Sequence, residues 1–351
     1  MPDDLTRLLC DPARLGPWLD AQRLEVGLEV GLEGTRPLTV ERITTGHSNE
    51  TFLVRRGGSA WILRRPPRVP LAPTAHDMVR EARLLRALAG TAVPVPRLVA
   101  ACADASVIGA SFHLTERLDG WVIRHRVPEP LLADAARPRV GEAFIDALVA
   151  LHAVDWRALG LEDFGRPDGF LDRQVTRWTR QLESYRQRPL PDMDALAAWL
   201  AGHRPPGEPP TIIHGDYHLD NVMFAPSLPP RVIAILDWET ATIGDPLVDL
   251  GLATALWPDP DEEHLPLGEG LDLARLGLGS RHDLARRYAE RTGRSIAPLP
   301  YYQALGLFRL ACILEGSWAR HVHGAADDPA FAALGAGVPA MARRARRLCG
   351  A

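Results

Sequence analysis

The apolar positions fall into a front part with mixed periods and a longer rear part with mainly helical ones. Leu5, Leu8, Leu9, Leu15, Trp18 and Leu19 recur at helical spacing and predict helix over about 5–32. β-Type segments follow at Leu38–Ile43, Thr51–Arg55 and Ala60–Arg64, with Gly57-Gly58 as a hairpin turn. Met78, Leu84, Leu85 and Leu88 predict a helix over about 75–89, which Pro94-Val95-Pro96 prevents from continuing. Apolar runs near 97–102 and 111–117 complete a small β-rich part, and Asp119-Gly120 marks a crossover. From about 122 onward, amphipathic patterns predict helices at 141–153, 171–186, 193–202, 301–320 and 328–348. One stretch interrupts them. Ile212-Ile213 and Val222-Met223-Phe224 flank a polar loop, and a turn-rich connection over 225–231 joins them to Val232–Leu236 as a hairpin.

That loop reads His214-Gly215-Asp216-Tyr217-His218-Leu219-Asp220-Asn221, and the strand after it ends on Asp237-Trp238-Glu239. Asp-x-x-x-x-Asn followed by a second Asp sixteen residues on is the spacing of a phosphoryl-transfer site. An Asp beside an acceptor hydroxyl takes or orients its proton, while an Asn oxygen and a second carboxylate suit magnesium. Singly, Asp and Asn in a loop are turn formers. Jointly, between strands, they assign Asp216 to catalysis and Asn221 and Asp237 to metal binding. A zinc reading of His214, Asp216 and His218 lacks a clear partner cluster elsewhere in the chain.

Upstream, Thr44-Thr45-Gly46-His47-Ser48-Asn49 joins the first two strands. Gly46 lets backbone N–H groups approach phosphate oxygens, and Ser48 and Asn49 can add side-chain contacts; an ordinary hairpin loop is the plain alternative. On the next strand, alternation sets Ile62 and Arg64 on one face and Leu63 and Arg65 on the other. Kinases carry a cation on that strand, paired with a helix Glu, which makes Arg64 and Glu81 the candidates. A solvated edge charge and an ordinary helix-surface pair are their plain alternatives. In this order adenine lies against Leu114-Thr115-Glu116-Arg117-Leu118, with Glu116 and Leu118 contributing backbone groups.

Composition narrows the field. The chain has 351 residues, 46% hydrophobic and 24% charged, enough for two lobes with ample core. We expect an N-lobe over 1–118 and a helical C-lobe over 119–351. A net charge of −4 gives no basic field for nucleic acid. All 40 basic residues are arginine, so any permanent side-chain cation a site needs must come from Arg. Cys10, Cys102, Cys312 and Cys349 form no C-x-x-C pair, arguing against structural zinc and a disulfide framework. The amino terminus shows no signal-peptide pattern, and no run reaches the ~18 apolar residues of a membrane span. The cytoplasm is the expected compartment, and the oligomeric state stays open.

Taken in order, Gly46-His47-Ser48-Asn49, Ile62-Leu63-Arg64, Glu81, His214-Gly215-Asp216 through Asn221, Leu236-Asp237-Trp238-Glu239, and Gly244-Asp245-Pro246 with Asp249-Leu250 resemble the aminoglycoside phosphotransferase-like family of small-molecule kinases. The resemblance covers about residues 35–325. It implies a protein-kinase-like, two-lobe α+β fold and transfer of the terminal phosphate of ATP or GTP, with Mg²⁺, to a hydroxyl. It makes Asp216 the base, Asn221 and Asp237 the magnesium ligands, and Asp245 and Asp249 structural carboxylates. His214 would support the loop. Arg64 departs from the usual Lys, and an Arg fork does not replace an ammonium without consequence. Leu63-Arg64 with Pro66-Pro67, together with Gln174–Tyr185 and Phe308–Leu314, is similar to the branch fused to acyl-CoA dehydrogenases.

That branch implies a hydroxyacyl-CoA-like acceptor, whereas antibiotic-modifying relatives take polycations. The acidic run Asp259–Glu263 could meet an amino sugar or be a solvated loop. The basic Arg343-Arg344-Ala345-Arg346-Arg347 would not attract a polycation. Trp238, Trp257, Trp318 and Arg320 are pocket-wall candidates, with core packing as the competing role of the tryptophans. A protein kinase is disfavoured, because Asp163-Phe164-Gly165 lies upstream of the loop and no Ala-Pro-Glu follows it. A nucleotide-binding pseudokinase acting as an interaction module remains the alternative, with Arg64 as its one supporting feature.

Overall fold

The structure, a computed structural model, describes residues 4–22, 37–43, 49–67, 76–124, 126–257, 265, 277–324 and 329–351. Gly46, Ser48, the acidic run 259–263 and the part of the first expected helix beyond residue 22 lie outside them. The chain divides into two compact units: Met1–Thr91 with Val95–Asp119, and Ala92–Pro94 with Gly120–Ala351.

The first unit opens with two short helices, α1 (Asp4–Leu9) and α2 (Pro12–Ala21), with a break inside the stretch that the apolar period predicted as helical. The break has a local cause. Asp11 accepts the Ala13 N–H as N-cap, and Pro12 occupies the first helical turn, where its missing N–H costs nothing. Among the described residues β1 (Leu38–Ile43), β2 (Glu50–Arg56), β3 (Ser59–Arg65), β4 (Leu98–Cys102) and β5 (Phe112–Glu116) form an antiparallel sheet of order β1-β2-β3-β5-β4. Gly57, at φ +60°, turns β2 into β3. Phe52, Val54, Trp61, Leu63, Phe112 and Leu114 point to one face and pack with Leu9, Leu15 and Leu19 of α1 and α2. Each fully buried Leu or Phe there is worth about 1.5–3 kcal/mol. Ile62 and Arg64 are left on the other side. Helix α3 (Met78–Leu88) packs against β4 and β5.

The second unit is mainly helical. Among the described residues its helices are α4 (Arg137–His152), α5 (Phe170–Glu183), α6 (Pro191–Gly202), α7 (Leu247–Ala255), α8 (Arg281–Thr292), α9 (Leu299–Val322) and α10 (Leu334–Cys349). Helix α9 is buried along most of its length and packs against α5, α6, α7 and α10. At the α7–α9 crossing a Cβ on Gly251 would collide with the Tyr302 carbonyl, so the backbones meet only because residue 251 has no side chain. Trp238 and Trp257 are buried, and Trp318 lies beneath the Arg188 guanidinium at 3.8 Å. Among the described residues two small sheets are set among the helices. β6 (Trp121–Val122), β8 (Val222–Phe224) and β9 (Val232–Ile235) form one; β7 (Thr211–Ile213) and β10 (Thr242–Gly244) form the other. Among the described residues no helix is long and apolar enough to cross a membrane.

Candidate active site

In the first unit, Arg64 and Glu81 meet. Arg64 Nη1 donates to Glu81 Oε1 at 2.7 Å, and the Glu81 side chain is buried. Asp77 accepts the Val79 and Arg80 N–H groups as N-cap, which starts α3 where Glu81 falls in its first turn. Directly across from Arg64 on β5 stands His113. Burial, helped by the Arg64 charge, pushes the His113 imidazole down to about 3, so it is neutral near pH 7. Asn49 is buried, with its Oδ1 2.9 Å from His76 Nδ1. Glu116 spends its carboxylate locally: Oε1 accepts the Arg97 N–H at 2.9 Å. Leu118 is half-buried in the segment after β5.

In the second unit, the loop after β7 carries Asp216 and Asn221, and the end of β9 leads to Asp237. The β8–β9 hairpin brings these segments side by side, with Val222 opposite Ile235 and Leu236 N–H bonded to the Asn221 carbonyl at 2.8 Å. Asn221 Nδ2 donates to the Asp216 carbonyl at 2.9 Å and to Asp216 Oδ2 at 3.0 Å. Its amide oxygen is therefore left as the atom available to a cation. Asp237 occupies the left-handed region at φ +63°, a strained conformation for a non-glycine residue and a common one at functional sites.

His214 ties the loop together without exposing a reactive atom. Its Nε2 donates to the Leu236 carbonyl at 2.8 Å, so Nδ1 is the acceptor for the Asp216 N–H at 3.2 Å. Both ring nitrogens are thus engaged, which removes His214 from any metal shell. Asp249 on α7 accepts the His214 N–H at 2.6 Å and the Gly215 N–H at 2.7 Å. Thr240 donates to the His214 carbonyl. Gly215 sits at φ +82°, and a Cβ there would lie 2.8 Å from the Thr240 carbonyl oxygen. Asp245 is likewise a fixing group: it accepts from Glu208 N–H, Leu247 N–H and the Tyr302 hydroxyl.

Electrostatics favour a charged Asp216. Burial pushes its carboxyl up, but the adjacent His218, with Arg309, outweighs burial and holds it down at about 2. His218 Nε2 lies 3.2 Å from Asp216 Oδ2. Burial disfavours the charged His218, yet Asp216, Asp220 and Asp237 raise it to about 9. The two side chains keep 37% and 25% of their exposure, so solvent tempers this pairing.

The donor set suits a hard cation. Asn221 and Asp237 offer oxygens, and magnesium characteristically takes one or two protein oxygens and completes its shell with phosphate oxygens and water. Among the described residues no three His, Cys, Asp or Glu side chains gather as a self-sufficient shell, as a zinc hydrolase site would need.

Two further contacts, one to this loop and one to the Asp249 that holds it, have no signal in residue spacing. Arg309 on α9 donates from Nη2 to the Gly215 carbonyl at 3.0 Å, and its guanidinium lies 5.3 Å from the Trp178 ring centroid. His152 at the end of α4 reaches Asp249.

The fold is that of the protein-kinase-like class, and similarity to known proteins specifies the family. Residues 39–275 match the family model of the Phosphotransferase enzyme family, APH. The chain belongs to that family. It is 37% identical over 303 residues to acyl-CoA dehydrogenase family member 11 of Gallus gallus, covering 83% of this chain and 38% of the relative. The chain therefore spans only 28% to 38% of the length of the curated relatives it matches. A Ralstonia eutropha JMP134 protein, provisionally named an aminoglycoside phosphotransferase, is 34% identical and superposes with a TM-score of 0.79 over 96% of this chain and 98% of its own. A thermostable mutant of aminoglycoside phosphotransferase APH(4)-Ia, in ternary complex with AMP-PNP and hygromycin B, shares the fold. It has a TM-score of 0.55 and 18% identity, over 88% of this chain and 94% of its own.

Proposed function

We propose that this protein transfers the terminal phosphate of ATP or GTP, with Mg²⁺, to a hydroxyl of a small molecule. The observation that carries the proposal is the clamped loop. Asp249, Thr240, Arg309 and His214 hold the backbone around Gly215, so that an ionised Asp216 stands at a fixed place beside Asn221. A carboxylate with so low a pKa is a poor base toward an unactivated alcohol. Its role is to accept the hydroxyl's hydrogen bond, align the oxygen, and take the proton late, as a loose transfer transition state requires. Asn221 and Asp237 would hold the magnesium ion, which supplies charge neutralisation on the phosphates. Arg64, kept in place by Glu81, would add the cation that other kinases draw from Lys. Asn49, Gly46 and Ser48 would approach the phosphates, and the Glu116–Leu118 backbone the base. In this reading the first compact unit is the N-lobe and the second the C-lobe.

The AMP-PNP complex of the structural relative supports a nucleoside triphosphate donor. For the acceptor, the sequence relatives named as acyl-CoA dehydrogenases favour a hydroxyacyl-CoA-like compound, and the Ralstonia relative favours an aminoglycoside-like one. Assaying transfer from Mg·ATP and Mg·GTP to both classes tests the proposal. Nucleotide binding without transfer to any member of either class would move the reading to a pseudokinase.

A further inference from the structure

A buried chain of hydrogen bonds leads from α8 to the loop that carries Asp216. The Tyr288 hydroxyl on α8 lies 2.8 Å from His152 Nδ1, and His152 Nε2 lies 3.2 Å from Asp249 Oδ2. The same Asp249 oxygen accepts the His214 N–H, while its other oxygen accepts the Gly215 N–H. Tyr288 and Asp249 are fully buried and His152 nearly so.

The donors follow from the acceptor. A carboxylate only accepts, so His152 must carry its proton on Nε2. Nδ1 is then an acceptor, and the Tyr288 hydroxyl donates to it. Burial favours the neutral ring this pattern needs. Each group in the chain is left with one role, and its members come from four separate elements: α8, α4, α7 and the loop.

Geometry sets what the chain does. Asp249 engages two successive backbone N–H groups only if its carboxylate plane is held at one rotation. His152 helps fix that rotation through Oδ2, the oxygen that also accepts the His214 N–H, and Tyr288 fixes His152. The two amides precede Asp216, one of them at the positive φ of Gly215. We propose that His152 is a positioning residue for phosphate transfer, supported by Tyr288, acting on Asp216 through Asp249 and the backbone of residues 214 and 215. This rests on the function proposed above, and it adds residues that touch neither substrate nor metal.

The test compares wild type with His152→Leu, His152→Gln and Tyr288→Phe in the full chain. Transfer kinetics are read alongside amide hydrogen exchange of the 212–217 loop. Leu removes the donor, Gln can restore one, and Phe removes only the outer hydroxyl. The expected order is a tenfold or larger loss of kcat in His152→Leu, a partial recovery in His152→Gln, and a twofold to fivefold loss in Tyr288→Phe. The KM for nucleotide should stay within about threefold, and loop amides should exchange faster while α4 and α8 keep their protection.

Wild-type loop protection in His152→Leu would overturn the inference. So would exchange rising equally through α4 and α8, or kcat and KM changing together. If His152→Leu does not fold, the ordering of the other two variants decides. Exchange needs no turnover, so a wild type that transfers phosphate to nothing would sink the proposed reaction while the loop amides still judged the positioning.

Discussion

His214 donates through Nε2 to the carbonyl of Leu236 at 2.8 Å, joining the loop that carries Asp216 to the residue before Asp237. The candidate catalytic and metal-binding carboxylates thus share one buried strut. Its ring is fully engaged, so its contribution is to spacing and not to proton transfer.

Asp237 should be the residue through which magnesium improves nucleotide binding. Titration calorimetry of ATP with and without Mg²⁺ should show the metal-dependent gain in affinity reduced at least ~10-fold in Asp237→Ala. An unchanged gain would remove Asp237 from the metal site.

Arg64 separates two requirements, charge and geometry. Arg64→Lys keeps the charge but loses the planar fork, and its nucleotide KM is expected to stay within about tenfold of wild type. Arg64→Ala leaves the buried Glu81 without this cation. It should destabilise the protein by about 3–5 kcal/mol and raise the nucleotide KM more than the Lys variant does. Denaturant unfolding and initial-rate kinetics check both, and an Ala variant as stable as wild type would contradict the pairing argument.

Gly215→Ala tests the turn itself. The left-handed conformation costs a non-glycine residue roughly 1–2 kcal/mol, and the contact with Thr240 adds to that. Urea unfolding should show a loss at least that large, with kcat falling because the strain lies next to Asp216. Wild-type stability and rate together would mean that the loop relaxes freely.

The elements that repeat an apolar period over several turns were legible in the residues: α3, α5 and the strands β1 to β3 fall close to their expected bounds. Helix α7 was not, because Leu247–Ala255 is buried on every side and so shows no polar face. β6 and β10 are two or three residues long, too short for alternation to register. At the site, spacing singled out Asp216, Asn221 and Asp237 because they lie close in the chain. Arg309, His152 and Tyr288 could not be found that way. Arg309 meets Gly215 across 94 residues, and His152 meets Asp249 and Tyr288 across 97 and 136, contacts that only helix packing creates.

Acid should weaken the fold before it protonates Asp216. His113 titrates near 3 when folded and near 6.5 when unfolded, and His152 is lowered in the same direction. Between those values the unfolded chain binds more protons, so stability falls as pH drops below about 6.5. His113 alone accounts for about 2 kcal/mol by pH 5. His218, raised when folded, contributes its full stabilisation throughout this window and does not offset the loss. Unfolding free energies at pH 6.5 and 5 should differ less in His113→Gln than in wild type; an equal slope would show that His113 is not the source.

The most direct test of the account is transfer from Mg·ATP and Mg·GTP to a panel of hydroxyacyl-CoAs, aminoglycosides, sugars and amino alcohols, comparing wild type with Asp216→Asn. Transfer to at least one hydroxyl acceptor is expected, lost by ~10²-fold or more in the variant while nucleotide binding persists. Equal transfer by both proteins would contradict the role given to Asp216. Nucleotide binding by the wild type with transfer to no acceptor would contradict the proposed reaction.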